Sequence, residues 1–431
     1  MIYYGCEEYN MKRLFARENY LKRIRPFYNN NEIIKVITGV RRCGKSSIME
    51  LIKRELIFNG VNESSVVYLN LDKRPYRRIK KTDQLEDLLS LKLDSIKGSK
   101  YLFLDEVQNV KDFEEVINAF REDDNCSIFI TGSNAYLLSG ELATKLTGRY
   151  IEFNIGTLSF DEYIGMKKFF KKEVNIDLDK ELNNYIVEGG FPLAVTFDSL
   201  NDKKTYIKSV ITEIYEKDVR KNKKIKNRHL FSQIETYIIN NFGATTSVNG
   251  LCDYLENING IRPSNNTVYS YLKILEDVKI ISCCHRFDMK SKKSLNGGEK
   301  YYLTDLSFYF SNQTNNKINY GPALENLIYN YALNNNYSVS VGRIGKLEID
   351  FIVRDEINYD YAYLQVAMMI FNDIYDKQGK LITEEREYAL LEKISDGYPK
   401  YLLTLDKFQQ KRNGVKHVNL IEFMLNNKRF D

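Results

Sequence analysis

The sequence predicts an α/β chain: an N-terminal parallel sheet with helices on both faces, then a helical extension, a winged helix-turn-helix and a C-terminal mixed α/β unit. Three observations carry this expectation. Apolar strand-like runs alternate with amphipathic helical runs through residues 1–155, a pattern that buries a parallel sheet between two helical layers. A glycine-bearing loop joins the first strand to its helix. Beyond residue 155 the periodicity becomes helical, then gives two short strands, then alternates again.

In order, IIKVIT at 33–38 reads as a buried strand, GVRRCGKS as a loop and SIMELIKRELI as a helix. SVVYLNLD at 65–72 is a second strand, followed by the helix-prone KTDQLEDLLSLKLDSI. KYLFLDEV precedes the helical DFEEVINAFRED, and CSIFITGS precedes NAYLLSGELATKL. YIEFNI at 150–155 is a fifth strand. Residues 156–228 then read as a helical lid and basic linker. Their last part, KDVRKNKKIKNR, sets Lys217, Arg220, Lys221, Lys223, Lys224, Lys226 and Arg228 against the single acid Asp218. Such a run fits either a solvated face or a nucleic-acid patch. Residues 229–312 give three helices, the third opening at Ser264 or Asn265, and two strands around KSKKSLNGGE. This is the pattern of a winged helix-turn-helix. Residues 313–431 form the mixed α/β unit.

Composition narrows the class. A chain of 431 residues, 43% apolar and 28% charged, is long enough for several cores and is not of disordered type. No apolar run approaches the roughly 18 to 20 residues needed to cross a bilayer, and the N-terminus is too polar for a secretory segment, so the expected address is the cytoplasm, with no membrane partner. Cysteines at 6, 43, 126, 252, 283 and 284 and histidines at 229, 285 and 417 lack metal-ligand spacing, which argues against zinc and against a disulfide scaffold. A net charge of +5 is too small to argue for nucleic acid by itself.

The run Gly39-Val40-Arg41-Arg42-Cys43-Gly44-Lys45-Ser46, continued by Ser47, fits GxxxxGK[ST]. A phosphate chain needs backbone N–H donors at a helix N-terminus, and glycines permit that close approach. Lys45 is expected to bridge the terminal phosphates of ATP, and Ser46 to ligate Mg²⁺. A buried strand ending in a carboxylate must complete such a site. Tyr101-Leu102-Phe103-Leu104-Asp105-Glu106 supplies Asp105 for the Mg²⁺ shell and Glu106 as general base. Thr131-Gly132-Ser133-Asn134 ends the fourth strand. There Asn134, with Ser133 as its rival, either orients the lytic water or simply forms a turn. Arg149 is a candidate to meet γ-phosphate charge, within the chain or across the boundary of a homo-oligomer. Cys43 reads either as an oxidisable thiol beside Lys45 or as an indifferent loop residue.

Taken together, ITGVRRCGKS, YLFLDEVQNV, FITGSNAYLLS, LTGRY, LSFDEY and EGGFP resemble a large family of bacterial and archaeal AAA+-type ATPases. In that family the ATPase and a winged helix are fused to a C-terminal domain resembling the PD-(D/E)XK nuclease fold. GPALENLIYN, LEIDFIV, YLQVA and YPKYLLTLD carry that part of the likeness. The resemblance implies nuclease-like positions at Glu325, Asp350 and Gln365. Gln365 stands where a second acid belongs and Ala367 where a lysine does, with Lys346 and Lys380 as candidate substitutes. That departure favours binding over hydrolysis.

The expected function is therefore a Mg-ATP-driven switch or remodeller acting on or near DNA. The alternatives are an ATP-gated nuclease of a defence or mobile-element system, and an ATP-sensing DNA-binding regulator. The last would read DNA through Asn266, Tyr269, Ser270 and Lys273, with Lys290, Lys292 and Lys293 near the wing.

Overall fold

The computed structural model describes residues 13–123, 125–132, 146, 148–220, 225–288, 293–313, 317–344, 347–355, 358–371 and 382–431. These fall into two compact units, one within residues 1–37, 44–132 and 144–153, the other within 38–43, 133–143 and 154–431. No described helix is long and apolar enough to cross a membrane.

The first unit is built on a five-stranded sheet: β1 (Ile34–Gly39), β2 (Val66–Asn70), β3 (Lys100–Asp105), β4 (Cys126–Thr131) and β5 (Tyr150–Ile155). Their spatial order is β2-β3-β4-β1-β5. The pairs β2/β3, β3/β4 and β4/β1 are parallel. Burial follows this order. β1, β3 and β4 are buried at every position, whereas β2 and β5, at the edges, are only partly covered. A strand flanked on both sides and covered on both faces has no use for alternation, which is why IKVITG, KYLFLD and CSIFIT are nearly continuous apolar runs. Phe103 and Phe129 stack at 4.6 Å across β3 and β4, and Tyr68 joins them from β2 at 5.9 Å. The one charge inside β1, Lys35, is satisfied by the carbonyls of Asn30 and Ile33 and the hydroxyl of Ser127.

The second unit opens with helices Phe160–Phe169, Leu178–Glu188 and Leu200–Ile214, the last running into a π-turn at Tyr215–Val219. Ser159 and Glu162 form a capping box at the start of the first of these, which gives the LSFDEY motif a local reason. The EGGFP motif has a packing reason. Gly189 sits at φ +77°, and a Cβ there would lie 2.1 Å from Asp305 Oδ1, while Gly190 N–H donates to Asp305 Oδ2 at 2.8 Å.

Helices Arg228–Asn240, Val248–Asn259 and Asn265–Asp277 follow, each opened by a side-chain cap, from Asn227, Ser247 and Ser264. Next comes a hairpin, β7 (Ile281–Asp288) and β8 (Lys293–Leu303), with the short β6 (Thr245–Thr246) beside β8. The segment SLNGGE, expected as loop, belongs to β8. The remaining strands are β9 (Tyr337–Ile344), β10 (Leu347–Asp355), β11 (Tyr361–Val366), β12 (Lys400–Thr404), β13 (Lys411–Arg412) and β14 (Val415–Asn419). All nine lie in one mixed sheet, ordered β13-β14-β12-β11-β10-β9-β7-β8-β6. The join is β7 to β9, paired in parallel from Arg286↔Val341 to Asp288↔Arg343. Hairpin and C-terminal strands therefore share a single hydrogen-bonded layer.

Candidate nucleotide site

In a parallel sheet the strands end together, and ligands collect at their carboxyl edge. Register places Asn70 opposite Asp105 and Ile37 opposite Thr131, so the ends of β1 to β4 line one edge. The loop that leaves β1 there is conformationally unusual. Gly39 has φ +141°, and a Cβ on it would lie 2.1 Å from the Ile155 carbonyl oxygen, so only glycine fits. Arg42 is left-handed at φ +68°, and Gly44 caps the next helix at φ +108°. That helix, Lys45–Phe58, makes its first rung from Ile48 N–H to Gly44 C=O. Lys45, Ser46 and Ser47 thus bring their amides to the helix N-terminus ahead of the ladder, where an anion is favoured. Val40 and Cys43 are buried, Lys45 is largely buried, and the Ser46 side chain is exposed. Cys43 is not in a disulfide, and its full burial removes the exposure that an oxidisable cysteine requires.

Asp105 is wholly buried at the end of β3. One carboxylate oxygen accepts from the Thr131 hydroxyl; the other accepts from Asn70 Nδ2 at 2.6 Å and Tyr68 OH at 3.2 Å. All three donors are neutral. They orient the carboxylate and leave its negative charge uncancelled. Glu106 follows in the left-handed region at φ +62°, a strained setting for a non-glycine residue. Its N–H donates to Thr131 Oγ1 at 3.2 Å, and its carboxylate accepts from Gln108 Nε2 at 2.5 Å. Thr131 therefore ties both acids together. Sequence reasoning singled out Asn134 from that strand end and passed over Thr131 and Asn70, whose signal was a polar residue at the end of an apolar strand, and Tyr68, in the middle of β2. Asn134 and Ser133 lie outside the described residues.

Arg149 is corrected by its position. Its carbonyl accepts from Ile34 N–H, at the start of β1, and its guanidinium pairs with Glu122 at 3.2 Å. β1 runs about 16 Å from Ile34 to the phosphate loop at the usual strand rise. Arg149 therefore lies at the opposite edge of the sheet and does not reach phosphates bound by its own chain. Arg41 and Arg42 are also engaged, by Asp218 and Glu213 of the helical segment.

A second cluster sits in the second unit. Glu325, on helix Tyr320–Asn334, accepts from Lys300 Nζ at 3.0 Å and Tyr302 OH at 2.9 Å. Lys300, on β8, lies 3.3 Å from Glu348 and 4.0 Å from Asp350. Asp350 accepts from Val366 N–H at 2.8 Å, and Gln365 donates to Glu387 at 2.9 Å. Glu387 also pairs with Arg386. Burial, reinforced by Glu325, pushes the Asp350 carboxyl well above the ordinary range. For Lys300 burial acts downward, but Glu325, Asp350 and Glu348 outweigh it and raise the ammonium above its usual value. The structure thus brings Glu325, Asp350 and Gln365 together and adds Lys300, Glu348 and Glu387, which sequence spacing did not indicate. Lys346 and Lys380 lie outside the described residues.

In helix Asn265–Asp277, Asn265, Asn266 and Tyr269 are exposed, Ser270 is half-buried, and Lys273 is paired with Glu276 at 3.0 Å and Asp277 at 3.8 Å. Lys290, Lys292, Lys221, Lys223 and Lys224 lie outside the described residues, as does the side chain of Lys293. Within the basic run, Lys217 pairs with Glu213 and Arg220 with Glu216, while Lys226 and Arg228 are exposed.

The AAA domain family matches residues 31–164, and a domain of unknown function, DUF8612, matches residues 179–317. An uncharacterized protein of Haemophilus influenzae is 31% identical over 422 residues, which cover 96% of this chain and 99% of that protein. One of Methanocaldococcus jannaschii is 33% identical over 301 residues, 69% of this chain and 65% of its own length. Among solved structures, a Walker-type ATPase of Pyrococcus abyssi is 15% identical with a TM-score of 0.49, over 69% of this chain and 95% of that one. A likeness of that degree carries no functional argument. Matched along nearly its whole length, the chain belongs to the family of the Haemophilus influenzae protein and carries an AAA domain between residues 31 and 164.

Proposed function

We propose that the chain is an ATPase that couples hydrolysis of Mg-ATP to movement of its helical and C-terminal parts, as a conformational switch or remodeller. The observation that carries this reading is the shared sheet edge, where a glycine-shaped loop opens the helix of Lys45 and Ser46, and Asp105 and Glu106 end the strand β3. The loop amides and Lys45 bind the terminal phosphates. Ser46 and Asp105 would hold Mg²⁺, which supplies charge neutralisation on the phosphate oxygens. They fit that task, because the donors that orient Asp105 among the described residues are neutral and Ser46 offers an exposed hydroxyl. Glu106, anchored through its own N–H, takes a proton from the attacking water once its carboxylate turns from Gln108. Asn134 is assigned to orienting that water.

Residues 229–312 are read as a winged helix and residues 313–431 as a nuclease-like domain used for binding. Three capped helices followed by a hairpin support the first assignment. Support for a non-hydrolytic role comes from Gln365, a neutral residue where a second metal-holding acid belongs, whose amide donates to Glu387. DNA is proposed as the surface on which the switch acts, met by the exposed Asn266 and Tyr269 and by residues 217–228. Arg149 has a place in catalysis only across the boundary of a homo-oligomer.

The test is ATP turnover by the purified protein beside Lys45→Ala and Glu106→Gln, with and without double-stranded DNA. Turnover lost in both variants and raised by DNA is the expected result. No turnover by the wild type under either condition overturns the ATPase reading, and turnover indifferent to DNA overturns its DNA arm.

A further inference from the structure

The phosphate loop carries two consecutive arginines, and neither is left to the phosphates. Arg41 makes a bidentate pair with Asp218, Nε to Oδ2 at 3.0 Å and Nη2 to Oδ1 at 2.8 Å, in a pocket where the two side chains are only 13% and 8% exposed. Arg42 places Nε 2.9 Å from Glu213 Oε2, and the other oxygen of Glu213 lies 2.8 Å from Lys217. Lys217 and Arg42 hold the Glu213 carboxyl below its usual range even though burial works the other way. Both acids sit at one place in the chain: Glu213 closes helix Leu200–Ile214, and Asp218 lies in the π-turn Tyr215–Val219. A π-turn is a locally underwound, widened segment found at functional sites more often than elsewhere. Immediately after it comes the segment that leads to helix Arg228–Asn240.

Planar, bidentate guanidinium–carboxylate pairs are the strongest of the common charge-assisted contacts, and a guanidinium binds phosphate oxygens with the same fork. One partner can therefore replace the other. We propose that the carboxylates of Asp218 and Glu213 compete with nucleotide phosphates for the guanidiniums of Arg41 and Arg42, so that phosphate binding releases the 213–220 segment from the loop. This rests on the reading of residues 39–46 as a nucleotide loop and adds the element that senses its occupancy. Two consequences are fixed by linkage, since an equilibrium that nucleotide shifts must shift nucleotide affinity in return. Removing either acid frees an arginine and tightens nucleotide binding. Nucleotide in turn loosens the π-turn.

Both are measurable on the full chain. Binding of fluorescent ATP and ADP analogues at low salt is compared for wild type, Asp218→Asn, Glu213→Gln and Lys45→Ala. Alongside, tryptic cleavage after Lys217 and Arg220, both about half exposed, is timed with and without nucleotide. Expected are Kd values about tenfold lower in Asp218→Asn and Glu213→Gln, within the range usual for coupled sites. Cleavage should quicken with nucleotide in the wild type, and should already be fast without it in the two variants. Unchanged or weaker binding in both variants, or wild-type cleavage indifferent to bound nucleotide, overturns the competition while leaving the ATPase reading intact. A wild type that binds no nucleotide overturns both readings. Should Asp218→Asn fail to fold by circular dichroism, Glu213→Gln and the exchanged pair R41D/D218R carry the test. The exchanged pair is expected to bind nucleotide more weakly than the wild type; tighter binding overturns the competition.

Discussion

Two buried acid sites in this chain receive opposite treatment. At the end of β3, Asp105 is held by an amide, a phenol and a hydroxyl, all neutral. In the second unit, Glu325 from within its helix and Glu348 and Asp350 from within β10 surround the ammonium of Lys300. Neutral donors fix an acid without cancelling its charge, so the first site keeps its appetite for a cation. The second has met it internally, and burial raises Asp350 further toward its neutral form. Similar residue types thus make one site that the proposed function assigns to a metal and another in which a lysine joins two parts of a fold. Lys300 belongs to the hairpin, Glu325 to the following helix and Glu348 and Asp350 to β10, so the pairings reinforce the joint between hairpin and C-terminal strands.

The contrast can be broken at either site. Lys45→Ala should lower ATP turnover by about a hundredfold or more, since it removes the cation assigned to the phosphates; a steady-state phosphate-release assay checks this. Lys300→Met should cost about 3 kcal/mol of unfolding free energy, because three acids lose a buried counter-charge. Urea denaturation reads that loss, and a variant as stable as the wild type would show that the cluster is not held by its lysine. Thr131→Val should lower turnover about tenfold, roughly 1.4 kcal/mol of transition-state stabilisation, with urea stability changed less than turnover, as it deletes the hydroxyl shared by Asp105 and the Glu106 amide. Arg149→Ala should change turnover by less than about twofold in the isolated chain, since its partner is Glu122 at the far edge of the sheet. A large loss there would place Arg149 at a site in a neighbouring copy.

Much of the first unit was legible in sequence, for a physical reason. β1, β3 and β4 are buried on both faces, so their apolar runs are uninterrupted and their ends are marked by glycine or acid. The phosphate loop was legible because its backbone conformation demands glycine at 39 and 44. What the sequence did not reveal are partners contributed from far along the chain: Asn70 for Asp105, Asp218 for Arg41, Lys300 for Glu325. Their residue types are ordinary, and only the register of neighbouring strands or the return of a helix brings them into place. The hairpin β13/β14 was overlooked despite Asn413-Gly414, both left-handed and a strong turn signal, because its strands are only two and five residues long. Of the two places the sequence allowed Arg149, the one within its own chain is removed by topology: a residue bonded to the start of β1 lies at the edge opposite the phosphate loop.

The difference between the two acid sites is tested most directly by Mn²⁺ binding, followed by electron paramagnetic resonance, in the presence of a non-hydrolysable ATP analogue. The account predicts nucleotide-dependent Mn²⁺ binding that is lost in Asp105→Asn and retained in Asp350→Asn. Binding that survives Asp105→Asn and disappears in Asp350→Asn would contradict it.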